Sequence, residues 1–292
     1  MMSNNIIWIA GAKGSLGQAL RAKFKKPANT VLVSDTDVDI TDLEAVLSYA
    51  NINSPEWIIN CAGITNPEEC ESDMTNAFKV NALGARNLAI AARQLNAVII
   101  QISTDDVFSG RNGGILTEFD RPDPVSVYGK SKLAGEEFVT SLNPKHIVVR
   151  SSWVYGYKND DFVSKVIEIA GKQSVIKMPV DYIGSPTSAD VLADFVEHLV
   201  NVEEYGIFHA SCEGTCSRAD FAREVLKNAG ITDCEIEEVY CGNSGKSYRP
   251  QNINLENLMM KMTGIYEMPK WKDALAEYMN SPSGFMNDRK AD

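Results

Sequence analysis

Residues that hold metals and disulfides are scarce in this sequence. Its three histidines, at 146, 198 and 209, have no partner at metal-ligand spacing. Its six cysteines, at 61, 70, 212, 216, 234 and 241, contain no C-x-x-C pair. Metal catalysis is therefore not expected, and neither is Ser-His-Asp chemistry. The cysteines are expected to be reduced and buried, as in a cytoplasmic protein. No apolar run approaches the ~18 residues of a membrane span. The opening Met1-Met2-Ser3-Asn4-Asn5 lacks the basic stretch and apolar segment of a secretory signal. Positive charge is also short: 28 Lys and Arg against 39 Asp and Glu give a formal charge of −11 and a pI near 4.9. That balance argues against nucleic acid as a partner. A small anionic ligand, which needs only a local group of donors, stays open.

The chain has 292 residues of ordinary globular composition, 44% hydrophobic and 23% charged. It is long enough for a large core and one or two domains. Apolar runs at Ile6–Ala10, Thr30–Ser34, Trp57–Cys61, Val98–Ile102 and Ile147–Arg150 read as strands. Helical patterns alternate with them, including a long one over Ala77–Leu95. This alternation predicts an α/β fold, a doubly wound parallel sheet of the Rossmann type with helices on both faces. The second half is mixed. Helices are expected over Asp190–Val200, Arg218–Ala229 and Trp271–Met279, and strands over Tyr205–Ala210 and Glu235–Tyr240. We divide the chain into a nucleotide-binding domain, 1–155, and a smaller interwoven substrate lobe, 156–292. Segments around 188–211 return to the first. The polar tail from Ser281 is expected to fray.

The first strand runs directly into Gly11-Ala12-Lys13-Gly14-Ser15-Leu16-Gly17 and then into a helix. Strand, glycine turn and helix form the context of a dinucleotide site. Gly11 permits the tight turn, Gly14 lets backbone approach a pyrophosphate, and Gly17 allows close packing of helix on strand. The helix start then offers free N–H groups and a positive dipole end to phosphate. Asp35 ends the second run, eighteen residues beyond Gly17, where an acid meets the ribose hydroxyls. A carboxylate there repels a 2′-phosphate, so NADH is expected over NADPH, with Lys13 as a partial offset. Ligands of such sheets sit beyond the carboxyl ends of the strands. Ala62-Gly63, Ser103-Thr104 and Ser151 to Trp153 reach the same rim.

Tyr128 and Lys132 stand four apart, so on a helix they share a face. A free phenol has a pKa of about 10. A neighbouring ammonium is expected to lower it toward its working pH. A tyrosine so placed suits protonating a carbonyl oxygen while hydride reaches the carbon.

Taken together, these stretches resemble the extended short-chain dehydrogenase/reductases, and within them the dTDP-4-dehydrorhamnose reductase family. The resemblance runs nearly end to end. It includes Asp39-Ile40-Thr41-Asp42, Asn60-Cys61-Ala62-Gly63 with Cys70-Glu71, and Ser103-Thr104-Asp105-Asp106-Val107-Phe108. It continues through Tyr128 to Lys132 with Gly135-Glu136, Arg150 to Gly156, Asp181 to Thr187, and Arg249-Pro250. The resemblance implies a catalytic Thr104, Tyr128 and Lys132. It places cofactor contacts on Gly11 to Gly17, Asp39, Ile40, Ala62, Gly63, Ile64, Thr65 and Ser103, and sugar contacts on Trp153, Thr104 and Asp105. Arg249 suits a phosphate of the sugar nucleotide, with a structural ion pair as the equal alternative. The implied reaction is NADH- or NADPH-dependent reduction of dTDP-4-dehydro-L-rhamnose in the cytoplasm.

Four positions depart from the family pattern. Asp106 stands for a usual Tyr, Tyr182 for Gln, Asp161 for Asn, and Arg218 for an aromatic residue. On an extended segment Asp106 would share a face with Thr104, and a carboxylate near Tyr128 would raise the phenol's pKa, working against Lys132. It would then either point to solvent or belong to a pocket tuned to another sugar. A reductase or epimerase of a different sugar nucleotide is therefore an alternative. A second is a non-catalytic subunit like the beta subunit of methionine adenosyltransferase. A homodimer is one assembly the sequence leaves open, and no metal is assigned.

Overall fold

The computed structural model describes residues 5–111, 113–157, 161–202, 204–242 and 249–281. The tail beyond Ser281 lies outside them. Six parallel strands form the central sheet. They are β1 (Asn5–Ala10), β2 (Asn29–Ser34), β3 (Trp57–Asn60), β4 (Val98–Thr104), β5 (His146–Ser151) and, after the small strand β6 (Val175–Pro179), β7 (Gly206–His209). Their spatial order is β7-β5-β4-β3-β1-β2. The chain steps from β1 outward to β2 and then returns to the other side of β1 with β3. The crevice at this reversal is where ligands of doubly wound sheets bind.

Apart from the edge strand β2, the apolar runs become strands buried on both faces, which removes the polar alternation of a half-exposed sheet. Ile7, Ile9 and Ile59 point into one core with helices α1 (Ser15–Phe24) and, further on, Ala189–Val202. Trp8, Ala10 and Ile58 point to the opposite core, with α2 (Leu43–Asn53) and α3 (Ala85–Gln94). Trp8 satisfies its indole N–H on Ser34 Oγ at 2.8 Å, so a large ring is buried without a stranded donor.

The expected long helix over Ala77–Leu95 is divided in three. Met74–Phe78 and α3 flank a π-helical turn at Lys79–Gly84. A Cβ on Gly84 would fall 2.5 Å from Ile40 Cδ1, so the wide turn lies tight against the loop after β2. Beyond it come α4 (Val127–Leu142), α5 (Phe162–Ala170), α6 (Ala189–Val202), α7 (Arg218–Asn228) and α8 (Trp271–Asn280).

The second half does not build a core of its own. Residues of α5, α7 and α8 join the cluster that holds Ile7, Ile9 and α1, and β7 extends the central sheet beside β5. Phe221 of α7 stacks on Phe162 at 4.9 Å and meets Trp271 edge-on at 5.9 Å. The expected strand at Glu235–Tyr240 is β8 (Glu235–Val239), and it pairs in parallel with β6, a strand the sequence reading did not supply. The six cysteines form no disulfide; Cys70, Cys212, Cys216 and Cys234 are buried, whereas Cys61 is half-buried and Cys241 exposed, against expectation. Among the described residues no helix is long and apolar enough to cross a membrane.

Candidate active site

The glycine turn is built by close approach. Gly11 has φ of 77°, and a Cβ on it would lie 2.5 Å from Ala62 N, at the end of β3. A Cβ on Gly17 would lie 2.3 Å from Gly11 O, so α1 can press against the turn only with hydrogen there. Gly14 is the N-cap of α1, and no side chain caps that helix. Its first-turn N–H groups, those of Ser15, Leu16 and Gly17, thus lack intrahelical acceptors. Ala12 is buried against the same core, and Lys13 N donates to Asp35 Oδ2 at 2.9 Å. One Asp35 oxygen therefore fastens the turn, a structural duty that the ribose reading did not include.

Asp39 and Ile40 are placed differently from one another. Asp39 is exposed and its Oδ1 accepts from Thr41 N, which holds its carboxyl below the ordinary range. The Ile40 side chain is buried core, and its carbonyl accepts from Asn87 Nδ2. The turn Ala62–Thr65 is pinned by Asn81, which the sequence reading missed. Asn81 Oδ1 accepts from Ile64 N at 2.8 Å, while Nδ2 donates to Ile64 O at 3.0 Å and Ser131 Oγ at 2.9 Å. Asn81 lies in the π turn, a common mark of functional sites. An asparagine inside a helical pattern was the available signal.

Helix α4 carries Tyr128 and Lys132 and begins with Ser126 Oγ accepting from Gly129 N at 3.0 Å. Two glycines let it touch its neighbours. Cβ atoms would fall 2.1 Å from Asp106 O at Gly129 and 2.6 Å from Asn81 O at Gly135. Lys132 is buried and its Nζ donates to Ile102 O at 2.6 Å. A Cβ on Gly63 would be 3.9 Å from the same Nζ, so the lysine stands at the cofactor turn. Burial lowers the Lys132 pKa to about 8, against the opposing pull of the Glu136 carboxylate.

Tyr128 does not follow expectation. Burial, and then the Asp106 carboxylate, push its phenol well above 10; the hydrogen bond to Thr104 and the charge of Arg249 oppose them. Lys132 is not among the groups that set this value, because its ammonium turns to the Ile102 carbonyl. The phenol is consequently fully protonated at neutral pH.

Thr104 ends β4 instead of following it, and its hydroxyl donates to Asp105 Oδ1 at 3.1 Å. Asp105 is buried, with its other oxygen accepting from Ser152 Oγ at 2.6 Å. Each of its oxygens thus accepts one hydrogen bond, and it stands behind Thr104 as a support, a duty the expected sugar contact did not include. Ser103 likewise differs from expectation. Its hydroxyl is committed to Glu136, whose carboxylate also receives Arg150 Nη2 at 2.7 Å and Nε at 3.1 Å.

The departures from the family pattern now have positions. Asp161 is a structural cap: Oδ1 accepts from Ser164 N at 2.8 Å and Oδ2 from Gly156 N at 2.6 Å. Tyr182 accepts from Arg218 N through its carbonyl. Asp106 is not on an extended segment, because Asp105–Val107 is a 3-10 turn closed by Asp106 N donating to Thr104 Oγ1 at 3.2 Å. It does not open to solvent either, since its Oδ2 is shut away without a hydrogen-bond partner. Burial and Asp105 raise its pKa to about 7, with Arg249 and Arg218 opposing. Trp153 is half-buried with φ of 45°, a costly conformation for a bulky residue. Arg218 lies over its ring at 3.4 Å, so a guanidinium covers a face that was expected to receive sugar. Arg249 is exposed near Asp106 and Tyr128. Among the described residues it has no ion-pair partner within the usual 4 Å, so the structural ion pair is not what is seen.

Comparison with known proteins agrees with this geometry. Residues 5–283 match the family described as RmlD substrate binding domain. A dTDP-4-dehydrorhamnose reductase of Aggregatibacter actinomycetemcomitans is 35% identical over 282 residues, covering 91% of this chain and 96% of that protein. The crystal structure of a dTDP-4-dehydrorhamnose reductase from Clostridium acetobutylicum is similar with a TM-score of 0.91 at 39% identity, covering 94% of this chain and 98% of that one. A dTDP-4-dehydrorhamnose reductase from Bacillus anthracis, solved in complex with NADP, has a TM-score of 0.90 at 32% identity, covering 94% and 99%. The family match over residues 5–283 and the end-to-end likeness in sequence and fold agree: this chain belongs to the dTDP-4-dehydrorhamnose reductase family.

Proposed function

We propose that this protein reduces the 4-keto group of dTDP-4-dehydro-L-rhamnose to give dTDP-L-rhamnose. The observation that carries this reading is the joining of Thr104 to Tyr128 at the end of β4, with Lys132 buried between them and the Gly63 turn. The residues around the glycine turn suit a nicotinamide dinucleotide. Side chains at Gly11 and Gly17 would fill the cradle, and the uncapped start of α1 presents N–H groups where a pyrophosphate would lie. When bound, the reduced nicotinamide supplies the hydride.

Tyr128 is the proton donor. A phenol held protonated at neutral pH is in the state reduction needs, and the alkoxide formed at C4 is a far stronger base than a phenolate. Thr104 orients the phenol, and Asp105 and Ser152 orient Thr104. Lys132 spends one of its three donors on Ile102 O, leaving others for a ribose hydroxyl.

The Asp35 carboxylate, following β2 beside the glycine turn, favours NADH over NADPH because it would repel a 2′-phosphate. The NADP bound to the Bacillus anthracis relative is the counterweight. Steady-state assays with dTDP-4-dehydro-L-rhamnose, following nicotinamide absorbance and identifying the product, test both parts. Formation of dTDP-L-rhamnose with the higher kcat/KM for NADH is expected. Absence of that product, from protein that binds the cofactor, removes the substrate assignment, and a clear NADPH advantage removes the role given to Asp35.

A further inference from the structure

Two charged side chains stand beside the catalytic groups without an ion pair between them. Asp106 Oδ2 is closed off from solvent and accepts from nothing among the described residues. Its backbone is fixed by the bond to Thr104 Oγ1 and by the close approach of Gly129. Arg218 opens α7 and lies between two rings, 3.4 Å from the Trp153 centroid and 5.0 Å from that of Phe162. Trp153 is itself immobile, wedged so closely against Gly184 that a Cβ there would be 2.5 Å from its Cε2. Among the described residues no carboxylate lies within ion-pair distance of the Arg218 guanidinium. The two opposite charges sense one another and both border Asp105, yet they do not close into a pair.

Buried donors and acceptors left open in this way cost free energy until a ligand satisfies them. A phosphate or carboxylate would suit Arg218 but would meet repulsion from Asp106 and Asp105. An ammonium would suit Asp106 and be repelled by Arg218 and Arg249. Neutral hydroxyl groups serve both, donating to the carboxylate and accepting from the guanidinium. We propose that Asp106 and Arg218 form a specificity-determining pair that reads neighbouring hydroxyl groups of the sugar ring beside the carbonyl being reduced. This rests on the reading of the protein as a dTDP-sugar reductase. Trp153 then acts as the platform that holds Arg218 flat.

The test is calorimetric binding of dTDP-L-rhamnose and of dTDP alone to the NADH-loaded protein. It compares wild type with Asp106→Asn, Arg218→Ala and the double variant, with unchanged NADH binding and melting above the assay temperature as checks of folding. Each single variant is expected to weaken dTDP-L-rhamnose on the order of tenfold and to leave dTDP within about twofold. The double variant is expected to lose less than the product of the two, since both residues hold the same groups. Arg218→Lys, which keeps the charge without the planar fork, recovers little. Equal weakening of dTDP would assign Arg218 to the phosphates and overturn the proposal. Unchanged binding of both ligands would place the pair outside the site and also overturn it. A wild type that binds neither ligand rejects the parent reading as well, and so is distinguishable from either result.

Discussion

At the scale of single residues, the pocket is governed by carboxylates held where water does not reach. Asp106 has its pKa raised from 3.8 to about 7, so the folded protein binds a proton there that the unfolded chain has released. The sign follows directly. The contribution is absent below about pH 3, where both states are protonated, and stability is lost progressively as pH rises from there toward 7. Asp106→Asn is therefore expected to stabilise the protein by on the order of 2 kcal/mol at pH 8, discounted for its half-buried position, and to change little near pH 3. Urea denaturation at the two pH values checks this, and a stabilisation of equal size at both would point to packing instead. The same carboxylate explains why the sequence misled on Tyr128. Spacing identified Lys132 as a neighbour and Asp106 as a carboxylate that would oppose it, but burial and the choice of the lysine to bond Ile102 O arise only when the chain is folded. Tyr128 and Lys132 as a pair were legible, whereas which influence wins at the phenol was not.

At the scale of elements, the site depends on how closely α4 lies on its surroundings. Gly129 touches the Asp106 carbonyl and Gly135 the Asn81 carbonyl, so the helix is fixed against both the 3-10 turn and the π turn. Gly129→Ala would place a methyl 2.1 Å from Asp106 O, and rigid backbone cannot yield that space cheaply. The expected result is a loss of about 1–3 kcal/mol together with a fall in kcat larger than any change in the KM for cofactor. Stopped-flow kinetics and melting, measured together, check it; full activity at reduced stability would show that the helix position is not critical. Strands β1 to β5 were readable because burial on both faces makes them continuous apolar runs of limited length. The π turn was not readable. It is set by Asn81 reaching Ile64 and Ser131, contacts seventeen and fifty residues away, which no local period encodes.

At the scale of the whole molecule, one core runs from β1 through α6 to α8, so the two halves stand or fall together. The buried Glu136–Arg150 pair, with Ser103, ties α4, β4 and β5 behind the catalytic groups. Removing one charge leaves the other buried and unpaired, so Glu136→Gln is expected to cost about 3–5 kcal/mol, read as a lower denaturation midpoint. A loss under about 1 kcal/mol would mean that water replaces the carboxylate as the partner of Arg150. The return of the chain near 188–211 to the sheet was visible as a helix followed by a strand, Ala189–Val202 and Gly206–His209. The pairing of β6 with β8 was not, because Val175–Pro179 carries too little pattern. The central claim is that hydride reaches C4 of the sugar while Tyr128 protonates its oxygen. Its most direct test uses NADH deuterated at the transferable position with dTDP-4-dehydro-L-rhamnose and reads the product by NMR. The account predicts deuterium at C4 of dTDP-L-rhamnose from wild type and a loss of at least about a thousandfold in rate for Tyr128→Phe. Deuterium at another carbon, or a Tyr128→Phe protein that turns over as wild type does, would contradict it.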